Sequence, residues 1–226
     1  ASINRRVLKP LEGISYHKLE SLDLDQSRAC SEFLKSIYDD PNKIIIEING
    51  ILELLIFKPD TSNIFEENFK KLAKFIGFNS QRPEAEYKKG PDVLWETGGL
   101  NYFVIECKNG AMTDIINKHD CNQLNGSAIW FEDKYDETCS FTPILIHQST
   151  VFEHAASPHS RTRIINNFHL GNLKENIYGF IKSICMENFL HDPKKIRKLL
   201  IYYKLRSQDI LRHFICRMLL TIHWAR

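Results

Sequence analysis

The chain is predicted to be an α/β protein: a mixed β-sheet flanked by helices, with a helical C-terminal extension. Three observations carry this. Residues 93–95 (Val-Leu-Trp) and 103–107 (Phe-Val-Ile-Glu-Cys) are short runs rich in β-branched and aromatic residues, joined through Gly98-Gly99, as in a β-hairpin. Residues 63–76 place Phe65, Phe69, Leu72, Ala73 and Ile76 on one helical stripe, with Lys70, Lys71 and Lys74 off it. Residues 142–147 (Thr-Pro-Ile-Leu-Ile-His) hold an unbroken apolar core, the pattern of a strand buried on both faces. Helices beside a mixed sheet make an α/β sandwich.

The elements follow in order. Residues 1–26 are weakly patterned and read as a lead-in that packs on the core. Residues 27–38, with Ala29, Phe33, Leu34 and Ile37 at helical spacing, form a helix stopped by Asp39-Asp40-Pro41. In residues 43–57, Asn49-Gly50 between apolar flanks predicts a hairpin, although Glu47, Gly50 and Glu53 also share one helical face. The helix at 63–76 is closed by Gly77. Beyond the central hairpin, residues 112–130 read as a helix with Gly126 as a weak point, residues 162–165 as a short strand, and residues 173–186 as a helix burying Ile177, Phe180, Ile181 and Ile184. From residue 192 the character changes: Pro193-Lys194-Lys195-Ile196-Arg197-Lys198 opens one helix, and residues 208–222 read as another. The expected division is a lead-in over 1–60, a core over 61–190 and an extension over 191–226.

Side chains alternate along a strand, so Glu106 and Lys108 project to one face while Phe103, Ile105 and Cys107 project to the other. If the turn centres on Gly99, residues equally distant from it face each other, which sets Asp92 opposite Glu106. Opposed Cβ atoms lie roughly 5 Å apart, close enough for two carboxylates to share a hard cation. The alternative is a surface hairpin whose Glu106 and Lys108 are merely solvated.

Pro91-Asp92 on one strand and Glu106-Cys107-Lys108 on the next resemble the signature of the PD-(D/E)XK nuclease superfamily, the restriction-endonuclease-like fold. By that resemblance Asp92, Glu106 and the Cys107 carbonyl would hold Mg²⁺, with Mn²⁺ as a substitute, and Lys108 would orient or help deprotonate the attacking water. The order helix, loop, Asp strand, Glu-X-Lys strand is the family's core order, and its first helix often lends an acid to the site. Phe65-Glu66, Phe69, Leu72 and Ile76-Gly77-Phe78 resemble, more narrowly, nuclease modules appended to bacterial superfamily-2 DEAD/DEAH-box helicases, which makes Glu66 that acid. The competing role for Glu66 is a capping box with Asn63 as N-cap, and Glu67 reads as a solvated neighbour. Related nucleases carry a Gln on the helix after the Lys; Gln123 matches it, while Tyr135 lies too far along to complete the usual Gln-Tyr spacing. Lys118 is the basic residue best placed for a phosphate, against a plain solvated role, and His147 reads as structural. The cluster Lys194, Lys195, Arg197 and Lys198 suits docking to DNA or to a partner domain, unless the C-terminal helices only cap the core.

Composition bounds these expectations. With 43% hydrophobic and 26% charged residues, the chain of 226 residues suits a folded globular protein, and a net charge of +2 demands that any nucleic-acid surface be local. Six cysteines without paired spacing point to a reducing, cytoplasmic setting rather than a zinc ribbon. No secretory leader or membrane-length apolar run is visible, and phosphate loops and helicase motifs are absent. The expected function is a metal-dependent deoxyribonuclease in bacterial antiphage defence or DNA processing, with DNA as partner and a helicase or other defence subunit beside it. The alternatives are a non-enzymatic DNA- or protein-binding module that keeps the fold, and a protein-docking domain working through its C-terminal helices.

Overall fold

A computed structural model describes residues 15–217 and 219–220. The chain begins with an irregular stretch and then α1 (Gln26–Ile37), capped by Asp25, whose carboxylate accepts the N–H groups of Ser27 and Arg28. Next comes α2 (Pro41–Leu54). The hairpin expected over residues 43–57 is therefore a helix. Asp40 accepts the Asn42 N–H with Pro41 at the first turn, a strong helix start, and Ile44, Ile48, Ile51 and Leu52 bury one helical stripe. An added Cβ on Gly50 would meet open space, so Asn49-Gly50 marks an exposed face, not a turn.

The helix α3 (Ser62–Phe75) ends as its pattern predicts. Gly77, at φ +80°, donates to the Lys74 carbonyl while the Phe78 N–H reaches back to Ala73. A side chain there would also strike the Gln26 carbonyl at 2.0 Å, so Gly77 lets α1 pack close. Two elements not foreseen follow, β1 (Asn79–Gln81) and the short α4 (Pro83–Tyr87). The central hairpin is β2 (Val93–Glu96) and β3 (Asn101–Cys107), joined through Gly98 and Gly99, both at positive φ.

Beyond the hairpin lie α5 (Lys118–Lys134), β4 (Ser140–Ile146), β5 (Val151–Phe152), β6 (Arg163–Ile165) and α6 (Asn167–Met186). They are followed by α7 (Pro193–Tyr202), α8 (Ser207–His213), β7 (Cys216–Arg217) and β8 (Leu219–Leu220). The helix expected from residue 112 starts only at the Asn117 cap, because Ile116 is held in a bridge to Phe152. The expected helix 208–222 stops at His213, and Cys216 pairs instead with Ile164, covering the otherwise open edge of β6. Residues 218, 221 and 222 of that expected helix lie outside the described residues, as do residues 1–14 of the lead-in.

The main sheet runs β1-β2-β3-β4-β6-β7. The first three strands are antiparallel neighbours, β3, β4 and β6 are parallel, and β7 returns antiparallel, so the sheet is mixed. One face carries Val93, Trp95, Phe103, Ile105, Ile144, Ile146 and Ile165 into a core shared with α1, α2, α3, α6, α7 and α8. The other carries Leu94, Tyr102 and Val104 against Ala128 and Phe131 of α5, and Leu145 and Ile164 against Cys121 and Leu124. No helix among the described residues is long and apolar enough to cross a membrane.

Candidate metal centre

The hairpin register is the one that equal distance from Gly99 predicts: Val93 pairs with Ile105 and Trp95 with Phe103. One step beyond Val93, Asp92 stands opposite Glu106 on the face covered by α5. The chain reaches Asp92 through Gly90, whose φ of +102° and 2.8 Å approach to Trp130 leave no room for a side chain. The Asp92 Oδ2 accepts the Cys107 N–H at 2.7 Å, which ties the two strand ends together. Both carboxylates are nearly enclosed, Asp92 at 6% and Glu106 at 4% exposure.

Glu106 is held on two sides. Its Oε1 accepts the Ser127 hydroxyl of α5 at 2.6 Å, and its Oε2 lies 3.6 Å from the Lys108 Nζ. Lys108 follows the last residue of β3, and its N–H extends the ladder to the Ile146 carbonyl. The Cys107 side chain belongs to the opposite, apolar face, so only its main chain can serve the site.

Two further carboxylates converge here. Glu66 of α3 is bound by Arg82, which also donates both terminal nitrogens to the Asn63 Oδ1 at 3.1 Å and one to Glu67 at 3.4 Å. The capping-box reading of Glu66 is thereby corrected: Thr61 is the N-cap, without a side-chain bond, and Asn63 faces Arg82. Glu67 shares that guanidinium and is not simply solvated. Glu84, on α4, was not foreseen; its carboxyl is within hydrogen-bonding reach of Asp92, and its N–H donates to the Pro91 carbonyl.

Crowding sets the electrostatics. Burial, then the neighbouring Asp92, pushes Glu106 up to about 8. The hydrogen bond with Asp92, followed by burial, raises Glu84 to about 7. Glu66 is raised by burial and Asp92, with Arg82 opposing. For Lys108, burial acts against the charged form, but Glu106, Asp92 and Asp120 outweigh it and the ammonium is stabilised. His147 is fully buried, its Nδ1 accepts the Ser149 N–H, and burial holds it below the usual histidine range, all consistent with a structural role.

Gln123, one helical turn before Ser127, lines with Glu84, Gly90, Glu106, Ser127 and Trp130 an open depression of about 210 Å³ above the carboxylates. Tyr135 caps the far end of α5, bonded to Tyr16. Lys118 is exposed at the start of α5, its N–H taken by Glu153. Lys194, Lys195, Arg197 and Lys198 lie on α7, which packs on α1 and α6. Lys195 is drawn to Asp192 and over the Phe189 ring.

Among the described residues, no three His, Cys, Asp or Glu side chains form a ready-made coordination group. The oxygen donors on hand are the carboxylates of Asp92 and Glu106, with Glu84 beside them. An all-oxygen set of this kind suits a hard divalent ion. Sequence reasoning missed Glu84, Arg82 and Ser127. Pro83 with an acid directly behind it is a helix-start signal that would have found Glu84. Comparison with protein-family models, curated proteins and solved structures finds no match for this chain.

Proposed function

We propose that the protein is a Mg²⁺-dependent deoxyribonuclease of the PD-(D/E)XK type, with the restriction-endonuclease-like fold, serving bacterial genome defence or DNA processing, with a helicase or other defence subunit as its companion. The observation that carries this reading is the hairpin register, which faces Asp92 to Glu106 and sets Lys108 beside Glu106. The surrounding order supports it too: α3 bearing Glu66, then the Asp92 and Glu106 strands, then α5 bearing Gln123.

Asp92, Glu106 and the Cys107 carbonyl would hold Mg²⁺, which supplies Lewis-acid polarisation of the scissile phosphate and acidification of water. The chain does the remainder. Ser127 fixes the Glu106 carboxylate from the α5 side, and the Cys107 N–H fixes Asp92, so both present set oxygens. Lys108, kept charged by its acidic neighbours, orients the attacking water and faces the charge that develops on the phosphate. Gln123, exposed at the rim of the depression, is positioned to touch the substrate backbone.

A second reading, a module that binds without cutting, has one observation in its favour: the Asp92 bond to the Cys107 N–H gives that carboxylate a structural job. Incubation with plasmid and linear DNA, in Mg²⁺ and in chelator, separates the two. Cleavage that needs the metal supports the nuclease; intact DNA at every Mg²⁺ and Mn²⁺ concentration leaves the binding module.

A further inference from the structure

A basic groove runs from the start of β3 across β4 and β6. It consists of two wells of about 520 and 450 Å³ that share Gln208 and Leu211 of α8 as their divide. The first is lined by Arg197 and Arg206 with Thr97 and Asn101; the second by Arg161, Arg163 and Arg212 with Thr142. Asn101 opens β3, five residues before Glu106, so the first well lies roughly 17 Å from the carboxylates along the strand, whereas Arg163 of the second is level with Ile144 and Ile105, two strands across. The groove is also on the other face: Thr142 and Arg163 share their side of the sheet with Ile144 and Ile165, whereas Glu106 shares its side with Val104.

The charge in this groove is largely uncompensated. Of its five guanidinium groups only Arg206 is paired, with Asp209 at 2.6 Å. Among the described residues, Arg161, Arg163, Arg197 and Arg212 have no ion-pair partner. Asp25, the one acid on the lining of the two wells, is committed to capping α1 and to Arg28. The Arg161 guanidinium is stacked over the Phe141 ring at 4.5 Å, which holds its planar fork of donors at the margin of the second well, toward the α5 side of the sheet. The floor adds the apolar side chains of Leu200, Leu211 and Ile215.

We propose that this groove is a second, phosphate-recognising site that takes the backbone of a nucleic-acid strand, independently of the metal centre. Arginine is the side chain best matched to phosphate oxygens, and four unpaired ones strung along two connected wells fit a repeating anion better than one compact ion. The apolar floor gives sugars and bases a surface without sequence-reading donors. A strand anchored here would be separated from the carboxylates by the sheet itself, so the site serves to tether nucleic acid rather than to cut it.

The test is fluorescence anisotropy of a labelled single-stranded oligodeoxynucleotide, in chelator, over a salt series. Three exposed arginines are replaced together (Arg161→Ser, Arg197→Ser, Arg212→Ser), and Gln208→Glu, at the junction of the wells, is made separately. The triple variant should lose about tenfold or more in affinity, and its salt dependence should flatten by about one unit of slope for each phosphate contact removed. Gln208→Glu should weaken binding in the same direction. Displacement of the oligonucleotide by an unlabelled nucleoside triphosphate would keep the phosphate site and assign it to free nucleotides. Wild-type affinity and salt slope in both variants, or no binding by the wild type, would overturn the proposal. Because chelator silences the metal centre, this result is independent of whether the protein cuts DNA.

Discussion

Replacing Glu106 by Gln keeps the side-chain shape and removes the charge that the site holds at greatest cost. The native carboxyl is pushed from 4.5 to about 8 by burial and by Asp92, so between those pH values the folded chain keeps a proton that the unfolded chain has released. The associated stability is therefore fully present below about pH 4.5 and is lost as pH rises through about 8. Each tenfold in proton affinity corresponds to about 1.4 kcal/mol, so above pH 8 the ionised Glu106 costs the metal-free fold on the order of a few kcal/mol. In chelator, thermal melting followed by circular dichroism should show the wild type losing stability from pH 5 to pH 9. Glu106→Gln should be the more stable protein at the alkaline end and about equal at the acid end. Added Mg²⁺ should reverse the order at alkaline pH, because the ion stabilises the wild type and finds one carboxylate fewer in the variant. A metal-free wild type whose melting temperature does not move over this range, or a variant that is weaker throughout, would refute the claim that Glu106 is an unfavourably buried charge.

Three other substitutions divide the roles. Lys108→Ala removes the ammonium beside Glu106 and should lower cleavage about a hundredfold or more while Mg²⁺ still binds; full cleavage in a nicking assay would contradict its assigned part. Asp92→Asn keeps an oxygen for the Cys107 N–H but gives up a charged ligand, so calorimetric titration should show weakened Mg²⁺ binding together with lost cleavage, and undiminished binding would remove Asp92 from the centre. Arg82→Ala strips the partner from Glu66 and from Asn63 in a pair almost closed to solvent, and should cost about 3–5 kcal/mol in urea unfolding; a loss below about 1 kcal/mol would mean that water replaces the guanidinium without penalty.

Much of the fold was legible where a local rule and a tertiary demand agree. The stripe of α3 and its Gly77 stop, the apolar run of β4, and the Gly98-Gly99 turn each have one physical solution, and the structure adopts it. Residues 43–57 offered two. Asn49-Gly50 suits a tight turn, but Asp40-Pro41 nucleates a helix upstream and four apolar side chains at helical spacing find a core, so packing decides. The end of the chain failed for the same kind of reason. Residues from 208 onward carry a helical pattern, yet β6 would leave an unpaired edge, and Cys216 satisfies it. Within the site, Asp92, Glu106 and Lys108 were legible because strand parity and hairpin register are local arithmetic. Arg82, Glu84 and Ser127 reach the site from separate elements, and no spacing in one dimension encodes that convergence.

Those three additions change what the site demands. Four carboxylates, Glu66, Glu84, Asp92 and Glu106, meet two cations, Arg82 and Lys108, so full ionisation leaves two negative charges at a site where Asp92 and Glu106 are nearly enclosed and Glu84 is open to solvent. A chain under no functional constraint would relieve this with an amide or an apolar residue, since a well-packed neutral group is at least as stable as a buried charge. Instead the main chain is bent at Gly90, where only glycine fits against Trp130, and that bend brings Glu84 and Asp92 toward Glu106. Protons can balance the excess charge, which is why Glu106 and Glu84 hold theirs so tightly, and so can one divalent ion. The two solutions exchange: each ion bound must release protons. A Mg²⁺ titration run in buffers of different ionisation enthalpy at pH 7 should therefore show net proton release on binding, and the release should fall in Glu84→Gln. Binding without proton release would mean that the ion, if it binds, sits away from these four carboxylates.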